Sequence, residues 1–293
     1  LNPVLVTGGS GQVGQSLARL APEGVELVMP KRDELDLSDP ESCADMVASR
    51  EWSAVISSGA YTAVDKAEAD VSAAWAANAI GPAALAAASA KAGIPILHLS
   101  TDYVFDGSQP GFYTEDAPVA PIGVYGASKE GGEQAVRTAN PKHVILRTAW
   151  VVSPFGNNFV KTMLRLGADR PELRVVGDQY GCPTSALDIA ATLLTLLEKI
   201  RSGDAAWGTY HFVNAGDTSW HGLASALIDR AATHGRPHPT VTAITTADYP
   251  TPAKRPANSR LSTARLTEAF GIQPRPWREA IDEIVDELIG DKK

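Results

Sequence analysis

Short aliphatic and β-branched runs alternate with longer stretches of helical periodicity through the first half of the chain. "VLVTG" is followed by "QVGQSLARLA", "VELVM" by "PESCADMVASR", and "AVISSGA" by an alanine-rich helix; "IPILHLST", a helix around Lys129 and "HVILRTAW" continue the rhythm. Each strand followed by a helical crossover can pair only in parallel with its successor, so the alternation predicts an α/β fold with a parallel sheet covered by helices on both faces. After Trp150 the rhythm loosens. Helices are expected at "NNFVKTMLRLG", "ALDIAATLLTLLEKI" and "GLASALIDRAATHG", a strand at "TYHFVN", loops from about Thr246 to Asn258, and a last helix after Pro276.

At 293 residues the chain can bury a substantial core, as one large domain or as a domain with a smaller lobe. A net charge of −8 argues against a broad nucleic-acid-binding face but leaves room for a local basic pocket. Two cysteines, Cys43 and Cys182, without a C-x-x-C spacing fit a reduced, cytoplasmic setting. Val71 to Ala90 carries no charge, yet its alanines, serines, Asn78, Gly81 and Pro82 suit a packed helix better than a membrane span. No charged segment leading into an apolar one is seen in the first residues, so no secretory signal is expected.

Gly8, Gly11 and Gly14 stand three apart between the first strand and the first helix. Such a turn brings bare backbone N–H groups against a pyrophosphate at a positive helix end; its alternative is an ordinary strand-to-helix turn without a ligand. Just after the second strand stand Lys31 and Arg32, where a binder of NAD would carry an acid. They suit the 2′-phosphate of NADP, or else form an exposed charged turn, and Asp36 lies a little farther on.

Tyr125 and Lys129 are four residues apart and share a helix face. An ammonium near a phenol favours the phenolate and makes the pair a proton donor; the same spacing also occurs for structural reasons alone. Ser100, Thr101 and Asp102 follow a buried strand, at the sheet edge where sites gather in open α/β folds, although such residues also serve as caps and turns.

The glycine turn, the strand-end hydroxyls and the tyrosine–lysine helix together resemble the extended short-chain dehydrogenase/reductase superfamily. Within it, "TGGSGQVG", "AYTAVDKAE", "STDYVFDG", "YGASKEGGE", "LRTAWV", "NNFVKTML", "DQYGCPT" and "KRPANSRL", reaching to about Leu261, are similar to the dTDP-4-dehydrorhamnose reductase family. The resemblance implies a doubly wound, Rossmann-like sheet: a dinucleotide-binding domain over 1–152 with returning segments about 172–200 and 208–215, and a substrate lobe over 153–171 and 216–293. It implies reduction of the C4 ketone of dTDP-4-dehydro-L-rhamnose with hydride from NADPH, NADH being the second candidate. Tyr125 would give the proton, Lys129 would hold the nicotinamide ribose and lower the phenol's pKa, and Thr101 would bind the reacting oxygen, with Ser100 as its neighbour. Gly8, Gly11, Gln12, Val13, Gly14, Lys31, Arg32, Asp36, Leu37, Gly59 and Ala60 would line the cofactor. Thr62, Val64, Tyr103 and Trp150 would line the sugar, with Asn158 and Arg255 for the diphosphate. Trp150 at a strand end also suits core packing.

The six histidines form no set at ligand spacing, so no catalytic metal is expected. Some relatives form a magnesium-bridged dimer through an acid just after the glycine turn. Ser16 stands there in this chain, which argues against that bridge and leaves monomer or homodimer open. "GGSGQ" is no nucleophile elbow, because Gln12 takes the last glycine's place. The partner expected is the dTDP-keto-sugar, with no nucleic acid and no membrane. Two other readings compete: an epimerase or dehydratase, for which Asp102 has no following glutamate, and a reductase-like regulatory subunit, which would not need the full Thr101–Tyr125–Lys129 set.

Overall fold

A computed structural model describes residues 2–290; residue 1 and residues 291–293, included in the expected domain bounds, lie outside it. Six strands form the main sheet: β1 (Val4–Thr7), β2 (Leu27–Val28), β3 (Ala54–Ser57), β4 (Ile96–Thr101), β5 (His143–Thr148) and β6 (Gly208–His211). They run parallel in the order β6-β5-β4-β3-β1-β2. The expected strand at "VELVM" is reduced to two residues at the sheet edge.

Alternation along the strands explains the two-faced core. Val4 and Val6 face one side with Leu97, Leu99, Val144 and Leu146, and the helix α6 introduced below covers them. Leu5, Val55, Ile96 and Ile145 face the other, under α2 (Pro40–Ala48), α3 (Val71–Lys91) and α4 (Val124–Ala139). Helix α1 (Gln12–Leu20) joins the first face through Leu17. The uncharged helix α3, long and apolar enough to cross a membrane, packs here against α2 and α4. Its hydrogen bonding widens to a π-turn over Ala76–Ile80, which turns Asn78 inward. The Asn78 amide accepts from Tyr61 N at 2.8 Å and donates to Tyr61 O at 3.1 Å and Ser128 Oγ at 3.0 Å, tying α3 to α4 and to the loop after β3.

Helices α5 (Phe159–Asp169), α6 (Ala186–Ser202), α7 (Trp220–Thr233) and α8 (Trp277–Ile289) follow, with a short helix over Ala264–Phe270 before the last. Ser185 caps α6 through Leu187 N, and Gly203, left-handed at φ +92°, ends it. Ile189, Leu193 and Leu196 of α6 are fully buried on the main sheet, while α5, α7 and α8 enclose a separate core with Val152, Leu173 and Val175.

Two parts of the expected division are corrected. Strand Glu172–Val176, assigned to the dinucleotide domain, pairs in parallel with Thr240–Ile244 and belongs to the lobe. Conversely, Leu266 and Phe270, assigned to the lobe, pack on the main sheet's core beside Tyr210. Amphipathic lengths of a few residues fit either core, so only tertiary contact decides between them.

The order of strand addition reverses at β1, since β2 lies on one side of it and β3 on the other; ligands of such sheets bind at that switch point. There Gly8, at φ +75°, touches the end of β3 so closely that a Cβ would lie 2.6 Å from Gly59 Cα. A Cβ on Gly14 would lie 2.3 Å from Gly8 O, so α1 can rest on the turn only with hydrogen there. Gly14→Ala is expected to lower stability by about 1–3 kcal/mol, read from denaturant unfolding, because α1 must lift from the turn to admit the methyl.

Candidate active site

Two cavities meet at the glycine turn. One, of about 670 Å³, runs from Gly8 to Lys31, Arg32, Asp36 and Leu37. The other, of about 620 Å³, runs from Gly8 past Gln12, Val13 and Gly14 to Thr101, Tyr125 and Lys129, and ends at Trp150 and Trp220. Gly59 and Ala60 line both. Sharing Gly8, Gly59 and Ala60, they form one trough across the switch point.

The residues fit such a group. Helix α1 starts at Gly11 with no side chain capping it, so its first N–H groups face the trough at the positive end of the helix. Lys31 and Arg32 are exposed at the far end. Asp36 lines that end too, but its carboxylate accepts from Ser38 N at 2.9 Å and Ser38 Oγ at 2.7 Å, which holds it below the usual carboxylate range. Gln12 has a second use. It accepts from Ser153 Oγ at 2.8 Å and Asn158 Nδ2 at 3.0 Å and donates to Val151 O at 3.3 Å, fastening α1 to the chain that leaves β5.

Thr101 ends β4, one residue beyond Ser100, and strand geometry sends their side chains to opposite faces. Thr101 lines the cavity; its Oγ1 accepts from Tyr103 N at 3.2 Å and donates to Asp102 Oδ1 at 3.1 Å. Ser100 also borders the cavity, but its hydroxyl is committed to Glu133 Oε1 at 2.5 Å. The two hydroxyls are therefore not equivalent.

Tyr125 and Lys129 sit on the inner face of α4, and Tyr103 meets Tyr125 edge-on with ring centroids 5.5 Å apart. Lys129 is buried and donates to Leu99 O at 2.6 Å; loss of water pulls its ammonium down to about 8, against the pull of the Glu133 carboxylate. The expectation that Lys129 lowers the tyrosine is not met here. Tyr125 is pushed up to about 12, first by burial; the Thr101 hydroxyl opposes the rise and the Asp102 carboxylate adds to it. Burial raises the Tyr103 phenol as well.

Asp102 escaped the sequence-level site set. It is 3% exposed, and burial raises its carboxyl from 3.8 to about 6, while the Thr101 hydroxyl and that of Ser259, near but outside hydrogen-bond geometry, pull it back. Strand-end position was the available signal; its missing counter-charge needed the fold.

Thr62 and Val64 line the cavity as expected. Trp150 does so too, at φ +50°, stacked on Trp220 at 3.5 Å and 10° and over Gly181, where a Cβ would lie 2.4 Å from the indole. Trp220, from the start of α7, was not foreseen, because a tryptophan 70 residues on carries no sequence mark of this partnership. Asn158 is corrected. Its amide caps α5 through Lys161 N at 3.2 Å and binds Gln12, Ser153 O and Phe155 O, leaving Asn157 and Gly156 to line the cavity. Arg255 is held by Asp65 at 2.7 Å, outside the lining, yet near enough that its charge lowers the Tyr103 phenol. His234 and His238 bind different carboxylates, Asp286 and Asp229.

The raised Asp102 makes a pH-dependent prediction. Between the unfolded value of 3.8 and about 6 the native state binds the extra proton, so this group's contribution to stability falls as pH rises through that window. Asp102→Asn is therefore expected to be more stable than the parent at pH 8 by about 3 kcal/mol, the difference vanishing below pH 4, as read from denaturant unfolding at both pH values.

Comparison with known proteins agrees with this architecture. The family model described as the RmlD substrate binding domain matches residues 2–289. A dTDP-4-dehydrorhamnose reductase of Aggregatibacter actinomycetemcomitans is 44% identical over 286 residues, covering 96% of this chain and 97% of the relative. A crystal structure of a dTDP-4-dehydrorhamnose reductase from Clostridium acetobutylicum superposes with a TM-score of 0.91 at 38% identity, covering 98% of this chain and 99% of the other. That of the Bacillus anthracis enzyme in complex with NADP has the same TM-score and the same coverages at 35% identity.

Proposed function

The chain belongs to the RmlD substrate binding domain family, and from that premise we propose that it is the NADPH-dependent oxidoreductase that reduces the C4 ketone of dTDP-4-dehydro-L-rhamnose to dTDP-L-rhamnose. The observation that carries the reading is the junction of the uncapped glycine turn with the Thr101–Tyr125–Lys129 cluster in one trough. The relatives' names support a dTDP-keto-sugar as the partner, and the free, buried Cys43 and Cys182 support a reduced, cytoplasmic setting.

NADPH, when bound, supplies the hydride. The α1 N-terminus and the bare peptide of Gly8 would hold its pyrophosphate, with the Gly11 N–H spent on Gly8 O in closing the turn, Lys31 and Arg32 its 2′-phosphate, and Lys129 the nicotinamide ribose. Gly59, Ala60 and Leu37 supply an apolar wall along the adenosine side of the trough.

The ketone oxygen lies, in this reading, between Thr101 and Tyr125. As negative charge develops there, the Tyr125 hydroxyl releases its proton to it, and the Thr101 hydroxyl turns from Asp102 to donate the second hydrogen bond. A phenol raised by burial stays protonated throughout the neutral range, which is the form a reduction needs. The phenolate left behind is favoured by the Thr101 hydroxyl, while the Lys129 ammonium, held on Leu99 O, faces the nicotinamide ribose. Thr62, Val64 and Tyr103 border the sugar, the Trp150–Trp220 stack closes its end, and Arg255 awaits the diphosphate if its bond to Asp65 opens.

An intact set of three polar groups speaks against a purely regulatory subunit. Tyr125→Phe is expected to lower kcat for ketone-dependent NADPH oxidation by roughly 10²- to 10⁴-fold while NADPH still binds, measured by cofactor absorbance and by fluorescence titration. Unchanged turnover would remove Tyr125 from the mechanism. Lys31→Ala with Arg32→Ala should raise the KM for NADPH by roughly ten-fold or more and leave that for NADH nearly unchanged. An equal change for both cofactors would show that these cations do not read the 2′-phosphate.

A further inference from the structure

Beneath the cavity floor lies a cluster that the reaction described above does not use. Glu133 is fully buried on α4, eight residues beyond Tyr125 and four beyond Lys129, on the same helix face. It accepts from Ser100 Oγ at 2.5 Å, Arg147 Nε at 2.8 Å, Arg147 Nη2 at 2.7 Å and Arg137 Nη1 at 3.0 Å. Ser100 immediately precedes Thr101 on β4, and Arg147, 3% exposed, lies directly across from Ser100 on β5. Glu130 faces Arg137 at 3.7 Å, so two carboxylates and two guanidiniums balance.

We propose that Glu133 is a positioning residue for the reduction: it locks the α4 face carrying Tyr125 and Lys129 against the strand end carrying Thr101, and fixes a negative charge one helical turn from Lys129. This inference rests on the Tyr125–Lys129 reading of the site. Stability alone does not account for the arrangement, because a buried ion pair contributes little beyond well-packed apolar residues of similar volume. The bidentate Arg147 contact does fix direction, since a guanidinium fork accepts a carboxylate in one plane. Helix α4 therefore cannot slide along β4 and β5 without breaking charged bonds away from water.

Around Lys129 the neighbouring groups are mostly neutral. From β4 it meets the Leu99 carbonyl and His98, which burial keeps neutral. From α4 it meets Tyr125, a neutral phenol in the neutral range, and Glu133. Around the cluster, Arg147 on β5 is spent on Glu133, and His211 on β6, down at about 3, is neutral. From α3, Asn78 and Ser128 of α4 form an uncharged pair. Glu133 is thus the carboxylate that favours the ammonium, with Asp102 turned to Thr101 at the cavity side.

The test is the pH dependence of kcat/KM with NADPH and the 4-keto sugar, which reports groups of the free enzyme. The parent is expected to lose activity as pH rises past about 8, where Lys129 gives up its proton. Glu133→Gln should move that alkaline limb to lower pH by roughly one unit. Glu133→Asp keeps the charge but withdraws it by one methylene; it should leave the limb in place and lower kcat on the order of ten-fold or more, with the KM for NADPH unchanged. A merely structural role would lower the thermal midpoint and leave the limb unmoved, and that result with Glu133→Gln overturns the proposal. Full kcat in Glu133→Asp overturns it as well, and decides the matter should the glutamine variant not fold. Lys129→Met separates the two levels: retained turnover there refutes the tyrosine–lysine reading itself, whereas lost turnover with an unmoved Glu133→Gln limb refutes only the role of Glu133.

Discussion

Contact between two backbones, that of Gly8 after β1 and that of Gly59 after β3, is the constraint on which the remaining structure depends. No side chain fits between them, so the ends of the two strands on either side of the switch point converge and α1 is drawn down onto the turn through Gly14. The convergence opens the trough on the side where the strands end, and it aims the uncapped N-terminus of α1 into it. The proposed contacts with the pyrophosphate follow from that approach. Gln12 extends the constraint outward, since its amide ties the start of α1 to Ser153, Val151 and Asn158 and so sets where the lobe begins.

The far half of the trough is governed by buried charge. Lys129, Asp102 and the Glu133–Arg147 pair are each almost without solvent, and they behave differently because their partners differ. Glu133 is surrounded by donors and stays below the ordinary carboxylate range despite burial, through its bonds to Arg147, Ser100 and Arg137. Asp102 has one hydroxyl bond and no cation, so it rises. Lys129 has a carbonyl in contact and a carboxylate one turn away, and it falls only part of the distance that burial alone would impose. A low dielectric makes these differences large, and it lets one charged group set the protonation of another.

Much of this could be read from the sequence where the signal was periodic or local. Strand-helix alternation gave the parallel sheet, and the glycine spacing and the Tyr125–Lys129 interval located both halves of the trough. What could not be read was pairing between distant segments. Glu172–Val176 has the pattern of a strand but nothing in it names Thr240–Ile244 as its partner, and Trp220 shows no sign of stacking on Trp150. Asn158 was given a phosphate because amides suit phosphates, but its position before a helix made it a cap, a local use that competes for the same atoms. Electrostatic expectations failed for a related reason: the interval between Tyr125 and Lys129 is fixed by the helix, while the burial that raises the phenol is a property of the whole fold.

Hydride delivery to C4 is the claim from which all the assigned roles descend, and isotopic labelling tests it most directly. The purified protein, given NADPH deuterated at the transferable position of the nicotinamide together with dTDP-4-dehydro-L-rhamnose, should yield a 6-deoxyhexose carrying deuterium at C4, as seen by NMR and mass spectrometry of the product. Protium at C4, or deuterium found at another carbon of the ring, would contradict the account.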